Sequence, residues 1–172
     1  MSSDLPLSTT PPSTAEPAPQ PPQGLHLKRP CILVSDLDQS LRLYRDVLGF
    51  RLDYVGEADA DSYLYTVFQI PAEGHLTFAA LSTDYEPRSL ALTEVQGISL
   101  PNAPIPRRIA TVIQVPHVSP LSKEIQALGL TLIRPHSFTA PPNLVFTEQG
   151  FYDFDGHLIV LYDRHTDEID NL

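Results

Sequence analysis

The chain has 172 residues, 42% of them hydrophobic, which suffices for one packed domain or two small fused modules. Its 21 Asp and Glu against 11 Lys and Arg leave a formal charge of -10, and Lys occurs only at Lys28 and Lys123, so no basic patch offsets the repulsion of a polyanion and no nucleic-acid partner is expected. A single cysteine, Cys31, rules out an internal disulfide and a paired-cysteine metal knuckle. No apolar run approaches the roughly 20 residues of a spanning helix, so no membrane partner is expected and the chain reads as a soluble, cytoplasmic protein.

Residues 1–24 carry seven prolines and seven Ser or Thr, with Met1, Leu5 and Leu7 as their sizeable apolar side chains. Ordering them would bury too little to offset the entropy, and a disordered Pro-rich tail is expected. From Leu25 the text becomes strand-like as far as Val34. Asp36 followed by Gln39 has the form of a capping box, Leu37, Leu41, Tyr44 and Leu48 make one helical stripe, and Gly49 supplies the stop. Further strands are expected at 50–55, 63–70 and 75–82, and residues 83–107, with Pro87, Pro101, Pro104 and Pro106, read as a linker.

The same order then begins again. A strand at 109–115 leads to a Ser119-Pro120 helix start, a stripe of Leu121, Ile125 and Leu128, and a stop at Gly129. Strands at 130–134, 144–153 and 157–162 follow, the last two joined by Phe154-Asp155-Gly156. The expected organisation is a duplicated βαβββ unit, with modules at 25–82 and 108–163 and an acidic tail at 164–172.

Asp36-Leu-Asp-Gln-Ser-Leu-Arg-Leu-Tyr-Arg-Asp-Val-Leu-Gly-Phe50 resembles the first-helix signature of the vicinal oxygen chelate (VOC) superfamily, which includes glyoxalase I, bleomycin-resistance proteins, fosfomycin-resistance enzymes and extradiol dioxygenases. Tyr152-Asp-Phe-Asp-Gly-His-Leu-Ile-Val-Leu-Tyr162 resembles its closing hairpin. The resemblance spans 25–163 and implies an α+β fold in which two βαβββ modules form an open cupped mixed sheet, with helices on the convex face and the site on the concave one. Strand alternation then sorts the side chains. Ile32, Val34, Leu76, Phe78, Ala80, Ile109, Ile113, Ile159 and Leu161 are expected under the helices. Arg29, Cys31, Tyr63, Tyr65, His75, Arg108, Gln114 and Tyr162 are expected in the cup, as the candidate ligand-binding residues.

Metal-using members of the superfamily place one ligand on the first and last strand of each module. The resemblance puts those positions at Arg29, His75, Ala110 and Val160, of which His75 alone offers a ligating atom. Three protein donors are the usual minimum of a catalytic zinc site, so no conventional metal centre and no other cofactor are expected. His75 and Glu148 are the acid–base candidates. Cys31 is expected to pack as a small hydrophobe, and His26, His117, His136, His157 and His165 to be solvated or hydrogen-bonding surface residues.

Two classes of function follow. The first is a metal-free binder, similar to the bleomycin-resistance branch, which sequesters a small anionic or carbonyl-bearing organic molecule in its cup and works as a homodimer. The second is an enzyme, a glyoxalase I-like lyase or isomerase or a dioxygenase, with a divergent or displaced divalent metal site. The missing four-ligand pattern favours the binder.

Overall fold

The computed structural model describes residues 25 and 27–166; the Pro-rich segment 1–24, His26 and residues 167–172 lie outside the described residues. β1 (Cys31–Val34) runs into the Asp36 cap, whose carboxylate accepts from Gln39 N at 2.8 Å. That bond satisfies a free amide of the first turn and starts α1 (Leu37–Leu41), which continues as a π-helical stretch over Arg42–Val47. Gly49, at φ +84°, ends it and turns the chain into β2 (Arg51–Glu57). α2 (Tyr63–Val67), β3 (His75–Ser82) and β4 (Leu90–Gln96) complete the first sheet, in the order β1-β4-β3-β2 with β1 parallel to β4. The second module repeats the plan with β5 (Thr111–Gln114), α3 (Val118–Ala127), β6 (His136–Ala140), β7 (Leu144–Tyr152) and β8 (Leu158–Thr166), in the order β5-β8-β7-β6. The duplicated α+β architecture expected from the sequence is the observed one.

Several element boundaries differ. Tyr63–Val67 is a helix rather than a strand, capped by Ser62 Oγ, which accepts from Leu64 N at 3.4 Å; so short an apolar run satisfies either period. The range read as a linker contains β4, the strand that pairs with β1. The sixth strand is His136–Ala140, while 130–134 keeps a single bridge, from Leu132 to Phe151. β8 runs on through Arg164 to Thr166, so the sheet extends into the range read as a tail.

Two carboxylates make the duplication visible at atomic detail. Glu94 Oε1 accepts from Leu37 N at 2.9 Å, and Asp163 Oδ2 accepts from Val118 N at 2.7 Å. In each module an acid on the strand beside the first strand thus satisfies an orphan amide of that module's helix. One core serves both modules: Val34, Leu43, Leu81 and Leu92 from the first join Ile125, Phe151, Ile159 and Leu161 from the second. Burying each such side chain is worth about 1.5–3 kcal/mol. Tyr44 Oη donates to Asp153 Oδ2 at 2.7 Å across the module boundary, and Asp153 Oδ1 accepts from Asp155 N and His157 N. Burial pushes the Asp153 carboxyl above its ordinary pKa and, with the Asp153 charge beside it, holds the Tyr44 hydroxyl well above its own.

Ile32, Val34, Ile113, Ile159 and Leu161 face the helices as expected. On β3 the faces are reversed: Ala79 and Leu81 enter the core beside Leu92, so Leu76, Phe78 and Ala80 lie on the opposite face and His75 lies on the helix side. Ile109 precedes β5 and is 76% exposed.

Candidate functional site

Residues directly opposite one another on neighbouring strands share a face of the sheet. On the face of the second sheet that turns away from α3, His136 lies opposite Glu148, Glu148 opposite Tyr162, and Tyr162 opposite Gln114. These four form one polar row across all four strands, in which Tyr162 Oη donates to Gln114 Oε1 at 3.0 Å. The next row on that face is Phe138, Phe146 and Arg164. Its two rings stack with centroids 4.9 Å apart and planes within 6°, and His136 stacks on Phe138 at 5.7 Å. On the other side of the polar row, Gly150, Val160 and Val112 make an apolar floor.

This face is open: Val112 is 61% and Phe138 41% exposed. A cavity of about 640 Å³ runs from it along the free edge of β5, lined by Gln114, Tyr162 and Arg164 and, from the first module, by Tyr85, Glu86 and Ser89. The Ser89 hydroxyl is buried there without a hydrogen-bond partner. The chemical repertoire is a flat aromatic wall, a guanidinium, a phenol, an amide, and two titratable groups side by side in His136 and Glu148. Such a set can orient a planar molecule, hold an anionic or carbonyl oxygen, and move a proton.

The residues expected in one cup are distributed over three places. Gln114 and Tyr162 lie in this row, with Glu148 beside them. Cys31 and Arg108 line a second, smaller cavity between β1 and the start of β8. Cys31 Sγ sits 3.3 Å from Thr93 Oγ1 and packs there as a small side chain. The other four lie elsewhere. Arg29 rests over the Phe78 ring, 5.6 Å from its centroid, and donates to Arg88 O at 3.3 Å. Tyr65 Oη accepts from Leu76 N at 3.3 Å, Tyr63 is 75% exposed at the start of α2, and His75 is exposed on the helix side of β3. The sequence reading missed His136, Phe138, Phe146 and Arg164. Phe146, Glu148 and Gly150 share one parity on β7, a signal that was present in the sequence; His136 and Phe138 were hidden by the flanking Pro135 and Pro141-Pro142.

The donor set for a family-type metal can be tested against the strand register. Val160 lies opposite Val112, two residues beyond Ala110; the corresponding residue opposite Cys31, two beyond Arg29, is Ala91. The second position is therefore Ala91 on β4 rather than His75 on β3. Arg29, Ala91, Ala110 and Val160 provide no metal-ligating atom, so these positions do not fit a divalent ion.

Two four-stranded mixed sheets built from paired βαβββ modules are the architecture of the glyoxalase fold class. The model of the Glyoxalase/Bleomycin resistance protein/Dioxygenase superfamily matches residues 25–161, and the chain belongs to that family. Among solved structures, a glyoxalase family protein from Bacillus cereus superposes with a TM-score of 0.64 at 14% identity, covering 83% of this chain and 96% of that one. Glyoxalase I of Leishmania major gives 0.55 at 18% identity, covering 81% and 87%. The fosfomycin-resistance protein FosX of Listeria monocytogenes, complexed with Mn(II) and sulfate, gives 0.51 at 21%, covering 85% and 95%. At these identities the likeness establishes the fold. No curated protein matches the chain. No helix among the described residues is long and apolar enough to cross a membrane.

Proposed function

We propose that the protein binds a small anionic or carbonyl-bearing organic molecule on the open face of its second module, without a conventional metal centre, and acts as a binder in the manner of the bleomycin-resistance branch. The observation that carries this reading is the unbroken row His136, Glu148, Tyr162, Gln114. Four adjacent polar side chains on an open sheet face contribute little to packing and are suited to a ligand. Arg164 supplies a cation for an anionic oxygen, Tyr162 a hydroxyl for a carbonyl, and the Phe138–Phe146 stack a wall for a planar body. A cytoplasmic homodimer is part of the proposal. Val112 on the free edge of β5 and Ile109 just before it leave apolar surface beside unpaired backbone, which a second copy would cover.

The chemistry of Arg29, Ala91, Ala110 and Val160 supports metal-independent binding. The test is isothermal titration with phenylglyoxylate, an aromatic 2-oxo acid, before and after exhaustive chelation. Binding should be equal in the two preparations and should weaken by about 1.5–3 kcal/mol in Arg164→Met, the worth of a charged hydrogen bond. Binding that appears only with added manganese, nickel or zinc would overturn the metal-free reading and favour the enzyme alternative, with Glu148 and His136 as its acid–base pair.

A further inference from the structure

The smaller cavity, of about 440 Å³, lies beside the first, with Pro30 and Thr111 lining both, under the segment 103–109 and between β1 and the start of β8. Its walls are largely apolar: Ile32, Leu33, Phe68, Pro104, Ile109 and Leu158 contribute most of them. Its charged lining residues are Arg107 and Arg108, and no carboxylate lines it. His157 Nε2 is engaged, donating to Leu33 O at 2.7 Å. No described carboxylate lies within ion-pair distance of either arginine, in a chain whose net charge is -10.

Arg107 is held in place from below. Its Cζ sits 4.9 Å from the centroid of the Tyr152 ring, and Nη1 donates to Pro104 O at 3.4 Å, while Nε is buried and makes no hydrogen bond. A buried guanidinium donor left unpaired is costly, and a stacked guanidinium presents its remaining N–H groups edge-on in a fixed fork that matches a carboxylate. Apolar walls closed at one place by a guanidinium that has no carboxylate partner describe an amphiphilic anion: a hydrocarbon or aromatic body in the cavity and its charged head on the Arg107 amino groups. Tyr152 lies four residues along β7 from Glu148 of the polar row, about 13 Å, so Arg107 sits beyond hydrogen-bond reach of that row.

We propose that the cavity beneath residues 103–109 is a second binding site, for an organic carboxylate with an apolar body, whose head group is received by Arg107. The site is independent of the ligand proposed for the polar row.

The full-length protein is titrated with 8-anilino-1-naphthalenesulfonate, and the bound dye is displaced with decanoate or with decanol. Saturable dye binding is expected, with decanoate displacing it at concentrations at least roughly tenfold below those of decanol. Arg107→Met should weaken decanoate by roughly ten- to a hundredfold, the worth of a charge-assisted hydrogen bond, and leave decanol unchanged. Ala103→Trp, placed on the outer segment away from the shared core, should fill the cavity and abolish displacement by both. Arg164→Met should leave decanoate binding as it is, and Arg107→Met should leave phenylglyoxylate binding as it is, so the two sites stand or fall separately. Equal displacement by decanoate and decanol, or decanoate binding that survives Ala103→Trp, would overturn the proposal.

Discussion

The two modules carry equivalent cross-strand rows with opposite chemistry. Glu94 and Asp163, which each accept from the amide of their helix, fix the correspondence, and the residue preceding each is Thr93 or Tyr162. The row through Thr93 is Gly56, Phe78, Thr93, Leu33; the row through Tyr162 is His136, Glu148, Tyr162, Gln114. In the first module this face is closed by its own side chains, with Leu76, Ala80, Ala91, Thr93 and Val95 all buried and Arg29 lying across Phe78. In the second it is open. One copy closes this face with its own packing and the other leaves polar groups exposed on it, while a single core is shared behind both sheets.

The sharpest way to break this comparison is to truncate the two equivalent residues on β3 and β7. Phe78 packs against Tyr54, with ring centroids 6.3 Å apart, and under Arg29, so Phe78→Ala should cost about 2–3 kcal/mol in urea denaturation, a little less than a fully buried ring. Glu148→Ala should change stability by less than about 0.5 kcal/mol. Equal losses would mean that the second face is as structural as the first.

Much of this was legible in the sequence for reasons that can be named. The Asp36 cap, the helical stripe ending at Gly49 and the closing hairpin are local signals, and each forms as read. Gln114 and Tyr162, both expected in the cup, lie opposite one another on β5 and β8, and Glu148, named only as an acid–base candidate, lies opposite Tyr162 on β7. The first module failed at one point. Reading Tyr63–Ile70 as a strand used up a strand that belonged to Leu90–Gln96, whose Leu-Ala-Leu-Thr-Glu-Val run is buried on both faces and so lacks alternation. That substitution made 75–82 the last strand of the module and put His75 at the second ligand position. Arg29, expected in the cup, lies over the ring of Phe78. What no local pattern revealed is that Phe78 stands beneath it.

The joint between the modules offers a second test. The buried carboxyl of Asp153 has its pKa raised by desolvation, so the folded state holds its proton more tightly than the unfolded chain does. Its contribution to stability is therefore fully present below the ordinary carboxyl pKa of 3.8 that the unfolded chain keeps, and is lost as pH rises through the higher folded-state pKa. Asp153→Asn keeps an oxygen for the two amides and removes the ionisation. Thermal melts between pH 3.5 and 7.5 should show the variant gaining on the wild type as pH rises and then levelling off. A difference independent of pH would show that Asp153 does not titrate differently on folding, and would leave the module joint without its acid-dependent element.

A smaller effect than that of Phe78→Ala is expected at Arg29, the guanidinium on the closed face that stands in contrast to Arg164 on the open one. Its interactions are a stack over Phe78, worth about 0.5–1 kcal/mol at a partly exposed site, and one bond of 3.3 Å to Arg88 O. Arg29→Met preserves the length of the stem and removes the charge, so stability should fall by about 1 kcal/mol, which for a chain of this size lowers Tm by about 2 to 4 °C. Phenylglyoxylate binding should stay within twofold of the wild type. The opposite pattern, an unchanged Tm with an affinity loss of roughly tenfold, equal to about 1.4 kcal/mol, would place Arg29 against the ligand. The first module's face would then belong to the site, and the division into a scaffold copy and a binding copy would fail at the residue where the two faces differ most simply.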